Sequence, residues 1–221
     1  MTVYDLARCL PAIPDLRLLC RALAVLDPAL RPENEDRYHR YDPAWAPGAE
    51  LASMRDGSGN EYDIVFTAAG AYVRGFDHES PMNPHATDDQ QPWPGVLDTV
   101  PDVFWEYVAE PAFCDEFATP HVTVCLWRQH SDTTWRHGVI DFPDGGDDGA
   151  DWLFILLTDR TPDAYQDWAQ DYYEMPVNLD AIRHIYTGQP LTPSVVTALN
   201  PAITLAAVAD RVMTTGYPIR S

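Results

Sequence analysis

The chain has 221 residues, 46% of them hydrophobic and 11% aromatic, which is too apolar for a disordered segment and long enough for one core that buries about 70% of the surface its unfolded form exposes. It carries 34 acidic residues against 14 basic ones, every one of the latter arginine, for a formal net charge of −20. The lack of lysine excludes Schiff-base chemistry, a lysine nucleophile and a lysine-dependent phosphate loop, while the charge opposes nucleic acid and anionic membranes as partners and favours a basic protein.

The first residues, MTVYDLARCLPAIPDLRLLCRAL, contain no basic leader followed by a long apolar run, and the longest apolar stretch, Trp152 to Leu157, is too short to span a bilayer. A cytoplasmic protein is the expectation. In that compartment Cys9, Cys20, Cys114 and Cys125 are reduced thiols. Cys114, His121 and Cys125 are zinc-ligand types, but their spacings of six and three intervening residues do not match the usual ligand pairs.

The periodicity predicts a short helix over about Val3 to Leu10. A second follows from a cap at Asp15 to about Leu26, with Leu16, Leu19, Cys20, Leu23 and Leu26 on one face. The Arg- and Glu-rich passage RPENEDRYHRYDP reads as a surface loop. Leu51 to Arg55 leads into the turn Asp56-Gly57-Ser58-Gly59-Asn60. Beyond it Tyr62, Ile64 and Phe66 alternate with Glu61, Asp63 and Val65, and Ala71 to Phe76 returns as the next strand of an antiparallel meander.

A proline-rich loop occupies residues 78–95 and includes Asp88-Asp89. Val103, Phe104, Tyr107 and Val108 mark a short helix. His121 to Arg128 and Thr134 to Phe142 are two further strands. Asp147 or Asp148 caps an apolar run from Trp152 to Leu157 that reads either as helix or as buried strand. Thr161-Pro162-Asp163, Asn178 and Thr192-Pro193 are helix starts, and Leu205 to Val212 is a last helix stopped by Gly216 and Pro218. The expected architecture is a single α+β domain over residues 1–221: a helical lead (1–48), a β-rich middle of about five strands (49–143) and a helical part (144–221).

Four features bear on function. Asp77, His78 and Glu79, at the end of a strand, supply two carboxylates and an imidazole, and His78 with His85 is the candidate pair for a divalent metal; adjacent residues of an extended chain point to opposite faces, so a turn is required. Trp93, held between two prolines, is an aromatic anchor for a partner or a plug for the core edge. The run from Asp144 to Asp151 lacks the spacing and terminal Glu of a calcium loop and reads as an acidic turn. Asp163, Asp167 and Asp171 recur at helical spacing and form a negative stripe, a solvated face or a docking face for a cationic partner.

The meander with its GxGNEYxxxF pattern from Gly57 to Phe66, the Gly75-Phe76-Asp77-His78-Glu79-Ser80 turn, the Trp93 loop and the acidic helical last third together resemble the immunity-type proteins that accompany bacterial polymorphic toxins. The resemblance covers residues 50–175 and implies an inhibitor that binds a toxin without catalysis; it carries over no site residue. Two functions are therefore expected: a non-enzymatic acidic binding protein for a basic partner, with no cofactor, or a metal-dependent hydrolase or small-molecule-binding protein centred on Asp77, His78 and Glu79. A scaffold role in a larger complex is the third.

Overall fold

The computed structural model describes residues 1–33, 37–86 and 89–220. Residues 34–36 of the Arg- and Glu-rich passage and residues 87–88 of the proline-rich loop, Asp88 among them, lie outside the described residues.

Six strands, β1 (His39–Ala46), β2 (Ala49–Arg55), β3 (Glu61–Thr67), β4 (Gly70–Phe76), β5 (Val124–Gln129) and β6 (Arg136–His137), form an antiparallel sheet whose neighbours follow chain order. The helices are α1 (Val3–Cys9), α2 (Ile13–Leu30), α3 (Trp105–Val108), α4 (Ala150–Leu153), α5 (Ile155–Thr158), α6 (Pro162–Tyr173), α7 (Leu179–Tyr186), α8 (Pro193–Leu199) and α9 (Leu205–Met213). The class is α+β with a helical last third, as the sequence indicates. Among the described residues no helix is long and apolar enough to cross a membrane. The chain divides into two compact units, Met1–Ile13 with Ser53–Thr158, and Pro14–Ala52 with Asp159–Ser221.

The first unit is organised on β3, β4 and β5. The turn ahead of β3 closes because Asp56 Oδ1 accepts from the Ser58 and Asn60 amides at 2.7 and 3.0 Å while Gly57 and Gly59 take positive φ. The β3–β4 register places Tyr62 opposite Gly75 and Asp63 opposite Arg74. Every residue of β4 is buried. Gly75 is required there by packing: a Cβ would stand 2.8 Å from the Phe154 ring, which stacks on Tyr62 at 5.0 Å.

Two predicted strands are shorter than their patterns. β5 begins at Val124 rather than His121, whose amide bonds the Phe113 carbonyl at 2.9 Å instead of a strand neighbour. The stretch from Thr134 to Phe142 is strand only at Arg136–His137, because Ile140 exchanges both backbone bonds with the Tyr4 hydroxyl and Gly138 packs against the Gly95 carbonyl. The run from Trp152 to Leu157, open between helix and strand in the sequence, falls in the two single turns α4 and α5.

In the second unit α2 runs from Ile13 through Pro28 to Leu30, past the expected end at Leu26, and residues 22–30 are all buried. The passage read as a surface loop contains the start of β1: His39 and Tyr41 face inward and alternate with exposed Arg40 and Asp42, so the period-two signal was present inside a polar composition. Buried Asp27 ties this unit together by accepting from the His39 amide at 2.6 Å and the Tyr173 hydroxyl at 2.5 Å. The three helix starts are as the sequence indicates: Thr161, Asn178 and Thr192 accept from the amides of Ala164, Ala181 and Val195.

Candidate functional site

The Asp77–Ser80 loop is tied down by bonds to its own backbone and to Asn60, Asp147 and Trp152. Asp77 Oδ1 accepts from the Glu79 amide at 2.9 Å, and Oδ2 from the Trp152 indole at 3.1 Å. His78 Nδ1 lies 2.7 Å from Asn60 Oδ1, which also accepts the His78 amide. The Ser80 hydroxyl donates to the Asp147 carbonyl and accepts from the Met82 amide. Asn83 then donates to the His78 carbonyl at 2.8 Å and accepts from the His85 amide at 2.9 Å. Asp77 is buried with both oxygens occupied, whereas His78 and Glu79 are exposed. The loop thus acts as a brace, and what it presents is His85.

His85 Nε2 faces His121 Nε2 at 3.2 Å, with the ring planes at 79°. An Asp115 oxygen completes a group whose ligand atoms all lie within 4.8 Å of one another. Among the described residues this is the arrangement with metal-ligand geometry, and it does not contain His78. Each member is fixed from outside the group. Phe76 stacks on the His121 ring at 4.8 Å and 17°, and Arg74 donates to the His121 carbonyl at 2.6 Å. Asp115 Oδ1 accepts from the Phe117 and Thr119 amides, both at 2.8 Å, in a tight loop that turns at Ala118 with φ 64°.

The electrostatics follow from these contacts. Burial holds His121 below the ordinary imidazole range, Glu61 pulls it back up, and His85 and Arg74 push it down again. Burial works against the Asp115 charge, but the Thr119 and Phe117 amides together with His121 and His85 outweigh it and keep the carboxyl below its usual value.

No motif in the sequence marks Asp115, and His121 stands out there only as a zinc-ligand type beside the two cysteines. Those cysteines go elsewhere: Cys114 Sγ contacts the Val108 carbonyl at 3.8 Å, and Cys125 is buried on β5. The usable signal was an Asp with amides two and four residues on and a His six residues on, the pattern of a tight loop that doubles back. Its Cys114–Pro120 bridge brings the two ends together.

Trp93 is half-buried and its indole donates to the Asp141 carbonyl at 2.9 Å, which pins it to its own unit. In the acidic turn, buried Asp148 accepts from the Val3 and Ala150 amides at 2.7 and 3.0 Å, and Asp147 from the Gly149 amide, so these carboxylates bond backbone amides; the N-cap of α4 is neither of them but Gly149, without a side-chain cap bond.

In the second unit Asp163, Asp167 and Asp171 are exposed along α6. Asp163 lies 3.5 Å from Arg183, and no ion pair to Asp167 or Asp171 occurs among the described residues. One residue round the helix from this stripe, Trp168 stacks on Tyr172 at 5.0 Å and 10°, and Tyr38 leans on both at 4.8 and 4.9 Å. Trp168 is half-buried and Tyr172 exposed. An acidic row thus borders an aromatic row on one helix.

Comparison of the chain with protein-family models, with curated proteins and with solved structures finds no match.

Proposed function

We propose that this chain is a non-catalytic binding protein whose partner is a basic protein, met through the α6 face. The observation that carries this reading is the stacked Trp168–Tyr172 pair beside Asp167 and Asp171. A net charge of −20 draws a cationic partner towards the chain and raises its association rate, without itself fixing a pose. The aromatic pair supplies what charge alone does not: area to bury and π faces for arginine or lysine. Inhibition of a basic toxin is the role that joins this face to the immunity-type resemblance, and a cytoplasmic setting suits its four free thiols.

The alternative of a hydrolase or small-molecule binder centred on Asp77, His78 and Glu79 draws less support, because both Asp77 oxygens and the His78 Nδ1 are committed to neighbouring groups.

Calorimetric titration with oligo-arginine and oligo-glutamate peptides, with a pull-down against the products of neighbouring genes at low and high salt, tests the proposal. Binding of the cationic ligand alone, weakened in Trp168→Ala and in the triple variant Asp163→Asn/Asp167→Asn/Asp171→Asn, is the expected result. Failure to bind any cationic ligand at low salt, or binding that both variants leave unchanged, overturns it.

A further inference from the structure

We propose that His85, Asp115 and His121 form a binding site for a divalent transition-metal ion of the zinc class, with two imidazole nitrogens and one carboxylate oxygen as ligands and the remaining positions open to water or to an oxygen-bearing ligand.

The distances favour an ion. Two nitrogens each about 2.0–2.1 Å from a zinc ion are about 3.3–3.4 Å apart at a tetrahedral angle and about 2.9 Å apart at a right angle. The observed separation of 3.2 Å falls between these. The carboxylate sits within 4.8 Å of both nitrogens, close enough for a small rotation about its side-chain bonds to close the group on one centre. Two histidines and a carboxylate on one side of an ion form a donor set suited to zinc, ferrous iron and their neighbours in the first transition row; magnesium and calcium prefer all-oxygen sites.

The surroundings are those of a held site. His121 is clamped through its ring by Phe76 and through its carbonyl by Arg74, a residue itself 1% exposed. The Asp115 bonds described above engage Oδ1, which leaves Oδ2 to turn towards the imidazoles. His85 arrives on the one-turn helix Pro84–Ala86, whose position the Asp77–Asn83 bonds fix. The brace made by the Asp77–Ser80 loop thereby acquires a purpose beyond its own stability. Preformed ligands cost little to order when an ion arrives, and exposed His85 gives the ion an entry path.

A shared hydrogen bond between two neutral imidazoles is the competing account of the 3.2 Å contact, and the two differ in what they bind. The site lies wholly within the first unit and does not involve α6, so its test is independent of the partner reading. Full-length chain stripped with a chelator and titrated with zinc should take up one equivalent, and cobalt should give visible d–d absorption. His85→Gln removes an exposed ligand without disturbing the core and should weaken zinc binding on the order of 100-fold, with Asp115→Asn and His121→Gln doing the same. His130→Ala, in the exposed turn after β5, should bind as the parent does, and circular dichroism should show the His85→Gln fold unchanged. No saturable uptake by the parent chain, or zinc binding by His85→Gln equal to that of the parent, overturns the proposal.

Discussion

Asp63 on β3 and Arg74 on β4 stand directly opposite each other, and their side chains pair with 0% and 1% of their surface exposed. Arg55 closes on Asp63 from the other side with two bonds of 3.0 and 2.9 Å, and Glu61 pairs with both arginines. The four charges alternate in sign and cancel. Burial opposes the Arg74 charge, yet Asp63 and Glu61 outweigh it and hold the guanidinium above its ordinary value. Breaking such a network by removing one member strands the others in a poor solvent. Arg74→Met and Asp63→Leu are each expected to cost about 3–5 kcal/mol by urea denaturation, and the double variant less than the sum of the two. A loss below about 1 kcal/mol for either single variant would contradict the network's role.

Gly149 packs against the Asp77 side chain of the brace. It has φ 82°, and a Cβ there would stand 2.5 Å from the Asp77 Cβ, whereas Gly57 has the same φ with nothing within 4 Å. Alanine at either position incurs the left-handed backbone cost of about 1–2 kcal/mol. Gly149→Ala should lose a further 1–3 kcal/mol or so from the clash. Thermal denaturation of the pair isolates that term, and equal losses would show that the brace yields freely.

Asp148 makes stability depend on pH. Burial pushes its carboxyl up to about 6, against the opposing pull of the Ala150 and Val3 amides, with Asp147 adding to the rise. An unfolded Asp titrates near 4, so the native state holds this proton more tightly. The contribution is therefore fully present below about pH 4 and is lost as pH rises through 6, at roughly 3 kcal/mol on completion. Acidification also relieves general repulsion among the acids, so the measurement is a comparison. Between pH 8 and pH 5 the parent should gain more stability than Asp148→Asn in matched denaturant titrations; parallel curves would remove Asp148 as the cause.

The four thiols should react in a set order. Cys9 is exposed, Cys114 half-buried, and Cys20 and Cys125 are inside. Burial pushes the Cys125 thiol up to about 12 and that of Cys20 higher still, which removes the thiolate needed for attack. With a disulfide reagent at mild pH, Cys9 reacts first, Cys114 more slowly, and the other two only at the rate of unfolding. Cys9→Ser should abolish the fast phase; two rapid phases in that variant would place a buried thiol within reach of solvent.

Salt gives an independent measure of the α6 face. Affinity for a cationic peptide should fall as ionic strength rises, because the carboxylates are exposed and screened within about 10 Å at 0.1 M. The triple asparagine variant should flatten that slope, while Trp168→Ala should lower affinity at every salt concentration and leave the slope near the parent's.

The sequence by itself determined the local chemistry. Asp56-Gly57-Ser58-Gly59-Asn60 had to turn and Thr161-Pro162, Asn178 and Thr192-Pro193 had to start helices, because each rests on bonds within a few residues; Tyr62, Ile64 and Phe66 do line a strand, but Asp63 and Val65 between them are buried as well, which the alternation did not indicate. The same locality explains the errors. β1 was hidden by the charged residues around it, and the stretch after Thr134 looked extended until Tyr4, more than a hundred residues away, took its backbone bonds. Tertiary structure decided the rest. Asp77 and His78, conspicuous as neighbours, are taken up by the Glu79 amide, the Trp152 indole and Asn60, and Glu79 is left exposed. His85, Asp115 and His121 converge because Arg74, Phe76 and the Asp115 loop hold them; the loop is legible as a six-residue spacing, but no spacing rule brings in His85, 36 residues before His121. The charge and the caps belong to the chain as written; the metal-ligand geometry exists only once the sheet has paired Asp63 with Arg74 and fixed the strand from which His121 hangs.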